Sequence, residues 1–213
     1  MSLTLFIGNK AYSSWSLRPW LLMRALDIPF EERIVPLYVE GSREKMLGEA
    51  PTGKVPVLRD GDLAVWDSLA IVEYLAETFP EKNIWPTAAA DRARARSLCA
   101  EMHSGFQALR KICPTNFRRN RRDAPLDIDE EARADLARLE KIFSEKSGPF
   151  LFGAFCAADA FFAPVVSRLD VYRLPLAAPA RAYCDAILAL PAFRAWREGA
   201  QAEAWIIERW EGV

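Results

Sequence analysis

Ser13 and Ser14 stand where a short β-prone run, Leu3–Gly8, gives way to a helical pattern starting at Ser14. A hydroxyl at such a junction lies among the free N–H groups of a helix start, a place suited to an anion. One anion that fits is a thiolate. A thiol of pKa about 8.5 must fall by roughly one to two units to ionise at neutral pH, on the order of 1.4–2.7 kcal/mol. A charge-assisted hydrogen bond from a serine O–H supplies roughly 1.5–3 kcal/mol. The serine keeps its proton and needs no histidine base. Plain N-capping by the same serines is the competing reading.

A second constellation is Lys54-Val55-Pro56-Val57-Leu58, followed by Trp66-Asp67-Ser68-Leu69-Ala70-Ile71. Proline cannot donate to a sheet ladder, so Pro56 starts a strand or lies at an edge. With a cis Val55–Pro56 bond, the N–H and C=O of Val55 turn outward and can pair with an extended peptide. Asp67 and Ser68 open a helix, where free N–H groups and the dipole favour an anion. Together they describe a pocket for a small, peptide-like carboxylate. The competing reading is an edge strand and a capped helix without a ligand.

Other reactive residues point elsewhere or nowhere. Cys99, Cys113, Cys156 and Cys184 form no CxxC pair and lack the spacing of a zinc site, so they read as free, buried thiols and no metal is expected. His103, the only histidine, lies in a helical stretch with no partner for a triad and reads as structural. The run Phe117-Arg118-Arg119-Asn120-Arg121-Arg122 has the composition of a nucleic-acid patch. Asp123, Asp127, Asp129, Glu130 and Glu131 follow it closely, so it reads as a solvated loop and nucleic acid is not expected as a partner.

The elements that position these residues alternate over the first eighty positions. Strands are expected at Leu3–Gly8, Arg33–Leu37, Val55–Arg59 and Leu63–Trp66, the last two flanking the hairpin signal Asp60-Gly61. Helices are expected from Ser14 to Leu26, from a Ser42 cap to Glu49, and from Ser68 to Phe79 before Pro80. The order βαβαββα implies a partly parallel sheet covered by helices. Pro80–Thr87 reads as a linker. Beyond it five helices are expected: Asp91–Cys113, Asp129–Lys146, an almost wholly apolar Ala157–Tyr172, Ala178–Ala189 and Phe193–Trp210.

The totals exclude some classes. The chain has 213 residues, 51% apolar and 27% charged, enough for one large or two small domains with proper cores. A net charge of −1 gives no general pull toward nucleic acid or anionic membrane. No apolar run approaches the roughly 20 residues that span a bilayer. The start, Met1-Ser2-Leu3-Thr4-Leu5, lacks the pattern of a signal peptide, so a cytoplasmic protein without membrane attachment is expected.

In combination, four segments resemble the cytosolic glutathione S-transferases. They are Ser13-Ser14-Trp15-Ser16 with Arg18; Ala50-Pro51-Thr52-Gly53-Lys54-Val55-Pro56-Val57-Leu58; Asp67-Ser68-Leu69-Ala70-Ile71-Val72-Glu73-Tyr74-Leu75; and Gly153-Ala154-Phe155-Cys156-Ala157-Ala158-Asp159. The resemblance covers nearly the whole chain and is to serine-type, theta- or zeta-like bacterial members. It implies a thioredoxin-like α/β domain (1–80), a linker (81–90) and an all-α helical bundle (91–213). It also implies glutathione as cosubstrate, a small electrophilic second substrate and a homodimer. Ser13 or Ser14 would activate the sulfur, with Ser13 favoured because it stands five residues before Arg18. Val55, beside a cis Pro56, would pair with the cysteinyl part. Asp67 and Ser68 would bind the γ-glutamyl end, and Lys54 the glycyl carboxylate.

The chain also departs from the family pattern. Zeta-type enzymes, which isomerise maleylacetoacetate, carry Cys after the two serines, where Trp15 stands here. A bulky ring suits a small-acid pocket poorly, so conjugation of a largely apolar electrophile is the expected reaction and isomerisation an alternative. No cysteine precedes Cys99, which argues against a mixed-disulfide mechanism. Cys156 replaces the usual Ser or Thr cap, a local cost of up to about 1 kcal/mol. Tyr12, Trp15, Met102, Phe106 and Trp205 are the expected walls of the electrophile pocket. A non-catalytic binding or assembly module of the same fold is the other alternative.

Overall fold

The structure is a computed structural model and describes residues 3–211. Four strands form one sheet in the order β2-β1-β3-β4: β1 Leu3–Ile7, β2 Glu31–Ile34, β3 Val57–Asp60 and β4 Leu63–Trp66. β1 runs parallel to β2 and antiparallel to β3, and β3 pairs antiparallel with β4. Three helices belong to this part: α1 Ser14–Ala25, α2 Ser42–Glu49 and α3 Ser68–Thr78. Alternation along β1 sorts the two faces. Leu3, Leu5 and Ile7 enter the main core with α1 and α3, while Phe6 joins Val35, Met46, Ala50 and Val57 in a smaller cluster under α2.

The second part is helical: α4 Ala89–Ser104, α5 Gln107–Ile112, α6 Glu130–Ser144, α7 Ala157–Val171, α8 Ala178–Ala189 and α9 Pro191–Ala202. As expected from its all-round apolar sequence, α7 is buried along its length, Asp170 alone being half-buried. α1 packs against both α7 and α9, so one continuous core crosses the two halves. All four cysteines are free and buried.

Besides shifts of a residue or two, such as β3 starting at Val57 and not Val55, four element boundaries differ from expectation, each for a physical reason. β2 lies earlier, at Glu31–Ile34, because after Val35 donates to Ile7 the next residue, Pro36, has no N–H to give. Its acids are tolerated because it is an edge strand. The N-cap of α2 is Gly41 at φ +76°, and Ser42 instead donates its hydroxyl to the Pro36 carbonyl at 2.5 Å. The first long helix breaks after Ser104: a Cβ on Gly105 would lie 2.8 Å from the Glu101 carbonyl, and Phe106 turns to φ +59°. The bundle therefore has six helices among the described residues. The last helix stops at Ala202, where Glu203 leaves it to cap the β1–α1 loop, and only one further helical turn follows at Glu208–Trp210.

Asp159 fixes the start of α7. Its carboxylate accepts the Cys156 N–H and the Leu151 N–H, each at 3.0 Å, and the Tyr183 hydroxyl at 3.2 Å. This carboxylate supplies the capping that Cys156 alone gives weakly. Replacing it by Ala strands two buried N–H groups, each costing about 1–3 kcal/mol. Asp159→Ala is therefore expected to lower unfolding free energy in urea by at least about 2 kcal/mol; an unchanged midpoint would count against this reading.

Candidate active site

Three chain segments leave the sheet at one end. Phe6 pairs with Val57, and Val57 pairs with Trp66. The loop to Ser13, the Val55–Pro56 bond and the Asp67–Ser68 turn are thereby gathered at that end. A cleft of about 670 Å³ opens there, between this end of the sheet part and the helical part. Ser13, Ser14, Lys54 and Val55 line it from the sheet side. Arg110, Thr115, Arg168 and Trp210 line it from the helical side.

The Val55–Pro56 peptide is cis. Among the described residues neither the N–H nor the C=O of Val55 has a hydrogen-bond partner within the chain, so this backbone edge is open to a ligand. Pro56 is buried behind it and does not line the cleft, and Lys54 is exposed at the rim.

Ser13 is the N-cap of α1, and its oxygen accepts the Ser16 N–H at 3.3 Å. The Ser13 and Ser16 hydroxyl oxygens lie 2.8 Å apart, and either can be the donor. Ser16 is fully buried and accepts the Gly8 N–H at 3.0 Å. The neighbouring loop is held by Asn9, whose carbonyl accepts the Tyr12 and Ser13 N–H groups, and by Glu203, which accepts those of Lys10 and Ala11. The Ser14 hydroxyl makes no hydrogen bond among the described residues. Tyr12 also reaches the cleft, but its hydroxyl proton goes to Glu211 at 2.6 Å, and burial together with that carboxylate holds its pKa above the ordinary tyrosine value.

Asp67 and Ser68 sit outside the cleft lining, at the start of α3. Asp67 is the N-cap, with Oδ1 accepting the Leu69 N–H at 2.8 Å, and its backbone takes φ +74°, a costly value for a residue other than glycine. Ser68 is buried, its hydroxyl 3.5 Å from Arg18 Nη1.

The model of the glutathione S-transferase N-terminal domain matches residues 12–78, and that of the C-terminal domain matches 87–199. The chain belongs to the glutathione S-transferase family. Its membership makes it a glutathione transferase by family, and the fold described above is that family's. Glutathione S-transferase 1 of Dianthus caryophyllus is 29% identical over 183 residues, covering 81% of this chain and 80% of its own. A probable maleylacetoacetate isomerase of Caenorhabditis elegans is 28% identical over 171 residues, 78% of each. Among solved structures, a glutathione transferase homolog from Burkholderia gl BGR1 with bound glutathione is 23% identical, with TM-score 0.71, covering 95% of this chain and 100% of that one.

Against this family frame, the expected electrophile walls are corrected in part. Tyr12 and Trp15 line the cleft, but Met102 and Phe106 are buried in the core and Trp205 lies outside the lining. Trp210 takes the place given to Trp205, because the chain beyond Glu203 folds back over Tyr12, with the rings 5.5 Å apart. The arginine run is held within the chain: Arg118 donates to the Glu203 carbonyl, Arg119 to that of Glu211, and Arg121 faces Asp170 at 3.6 Å. Among the described residues no cluster of three His, Cys, Asp or Glu side chains is placed to hold a metal ion, and no helix is long and apolar enough to cross a membrane.

Sequence reasoning missed Ser16, Glu203, Arg110, Thr115 and Arg168. Arg168 had a signal, the one basic residue of a largely apolar helix. Arg110 had none, because it is positioned by the carbonyls that the break at Gly105 releases.

His103 does have a partner. Its Nε2 lies 3.3 Å from Asp67 Oδ2, and its ring meets the edge of Trp15 with centroids 4.9 Å apart. Burial lowers its pKa, Asp67 raises it, and Arg18 and Arg110 lower it. Removing the carboxylate must lower it further. In the untagged chain this single histidine is therefore expected to titrate below 6.5 by proton NMR, and lower still in Asp67→Asn. An unchanged or raised value in that variant would contradict the pairing.

Proposed function

We propose that the chain is a serine-type glutathione transferase in which the Ser13 hydroxyl holds the sulfur of glutathione as a thiolate. The observation that carries this reading is the open backbone edge of Val55 in the same cleft as Ser13. A peptide paired with Val55 through its cysteinyl N–H and C=O puts its side chain toward the start of α1. Lys54 at the rim suits the glycyl carboxylate. Asp67 suits the γ-glutamyl amino group, and its positive φ marks a position held for more than capping. The free N–H groups at the start of α3 suit the γ-glutamyl carboxylate, with Ser68 contributing its backbone there, since its side chain is turned inward.

Hydrogen-bond accounting supports Ser13 over Ser14. Ser16 is buried and already accepts from Gly8, so its own proton needs an acceptor, and Ser13 Oγ is the one at hand. Ser13 then accepts from Ser16 and turns its own proton to the cleft. A donor that accepts from a neighbour is polarised and donates more strongly. The thiolate so held attacks an electrophile lying against the helical wall. Residues 1–80 act as the glutathione-binding domain, 81–90 as the linker and 91–213 as the domain that supplies the second pocket. The family expectation of a homodimer is supported by Leu63 and Trp66, exposed on edge strand β4; the cytoplasmic location remains the family's expectation.

Thiolate absorbance of bound glutathione against pH tests the assignment. Ser13→Ala is expected to raise the thiol pKa by about one to two units. Ser16→Ala is expected to raise it less, and Ser14→Ala to leave it near the wild-type value. A rise in Ser14→Ala with none in Ser13→Ala would transfer the role to Ser14, and no rise in any variant would end the serine mechanism.

A further inference from the structure

Among the described residues the helical wall of the cleft carries more cationic than anionic charge: Asp135 acts on Arg110, and no carboxylate acts on Arg168. Arg168 projects from the last turn of α7 and is 6% exposed. Its Nη2 donates to Thr115 Oγ1 at 2.5 Å, while Nε and Nη1 are buried without an acceptor among the described residues. Arg110 lines the same wall, with Nε donating to the Gly105 carbonyl at 3.0 Å and Nη2 to that of Met102. Arg18 is buried beside them on α1, its Nε also without an acceptor among the described residues.

Among the described residues no carboxylate pairs with Arg168. The groups that act on its charge include Arg110, Arg18, Cys113 and Tyr172. Burial pushes the Cys113 thiol up to about 12 and raises the Tyr172 hydroxyl, so both are neutral at neutral pH. Burial first, and then repulsion by Arg110, pulls Arg168 down to about 9, and Arg18 is pulled down similarly by burial, Arg110 and Arg168. A buried charge without a partner is costly, and an anion brought into the cleft would offset that cost. Aromatic surface adjoins these arginines, with Trp210 on the helical side and Trp15 from α1 both lining the cleft.

We infer that the second substrate of this site is an organic acid, its carboxylate held by Arg168 and Arg110 and its apolar body set against Trp15 and Trp210. This rests on the reading of the opposite wall as the glutathione site, and it replaces a plainly apolar electrophile with an acidic one. Thr115 keeps the Arg168 guanidinium at the cleft side of α7, and Arg110 supplies the second cation from α5.

Calorimetric titration of the full chain with 3-nitrobenzoate and with its uncharged analogue 3-nitrobenzamide tests the inference. The acid is expected to bind at least tenfold more tightly. Arg168→Gln and, separately, Arg110→Gln should remove most of that advantage while leaving amide affinity unchanged. Equal binding of acid and amide by the wild-type chain overturns the inference, as does an acid advantage that survives both substitutions. If Arg168→Gln fails to fold, the wild-type ratio and Arg110→Gln together still decide: equal binding in the wild type, or an advantage that survives Arg110→Gln, overturns the inference. Glutathione titrated into the wild-type chain reports on the other wall: no glutathione binding with the acid advantage intact would remove the glutathione reading alone.

Discussion

A single carboxylate, that of Glu203, ties the cleft together. It comes from just beyond the last long helix and accepts the Lys10 and Ala11 N–H groups at 2.7 and 3.0 Å. Those groups belong to the loop that carries the chain from β1 to Ser13. Burial raises the Glu203 pKa, and the two backbone donors with Lys10 and Arg118 pull it down. The helical half thus fixes the loop on which the serine stands. The same turn of chain directs the segment ending at Trp210 across Tyr12, which closes one side of the cleft. Trp196 adds a bond from its indole N–H to the Lys10 carbonyl, so the two halves meet in hydrogen bonds as well as in apolar packing.

The two walls so joined differ in chemistry. The sheet side offers directional donors and acceptors: the Ser13 hydroxyl, the Val55 backbone and the start of α3. Each is fixed by backbone geometry, which suits an invariant peptide cosubstrate. The helical side offers the guanidinium groups of Arg110 and Arg168, and Arg110 lies 5.4 Å from the Trp15 ring that α1 brings up to it. Positive charge stacked on a ring has no strict direction, so this side sets the class of second substrate more than its exact pose. A net charge of −1 conceals the contrast, because the acids that balance these arginines lie elsewhere.

Much of the sheet half was legible in the sequence because its signals are local. Asp60-Gly61 marks a hairpin, Pro56 marks the start of a strand, and the helical period from Ser14 is unbroken. The β2 error came from the same local logic: Val35 and Leu37 looked more strand-like than Glu31 and Glu32, and pairing with β1 decided otherwise. In the helical half, periodicity found the helices but not their interruptions. Gly105 breaks one because of a close approach to Glu101, and Glu203 ends another because distant N–H groups need an acceptor. Arg110, Thr115 and Trp210 become neighbours only through those interruptions, which is why the second pocket was misread at Met102, Phe106 and Trp205.

The central claim is that one cleft holds a peptide on the Val55 backbone and its sulfur on the Ser13 hydroxyl. A crystal structure of the complex with glutathione tests it most directly. The account predicts two backbone hydrogen bonds between Val55 and the cysteinyl residue, with the sulfur within hydrogen-bond distance of Ser13 Oγ. A sulfur resting on Ser14 or on Arg110, or a glutathione that leaves Val55 unpaired, would contradict it.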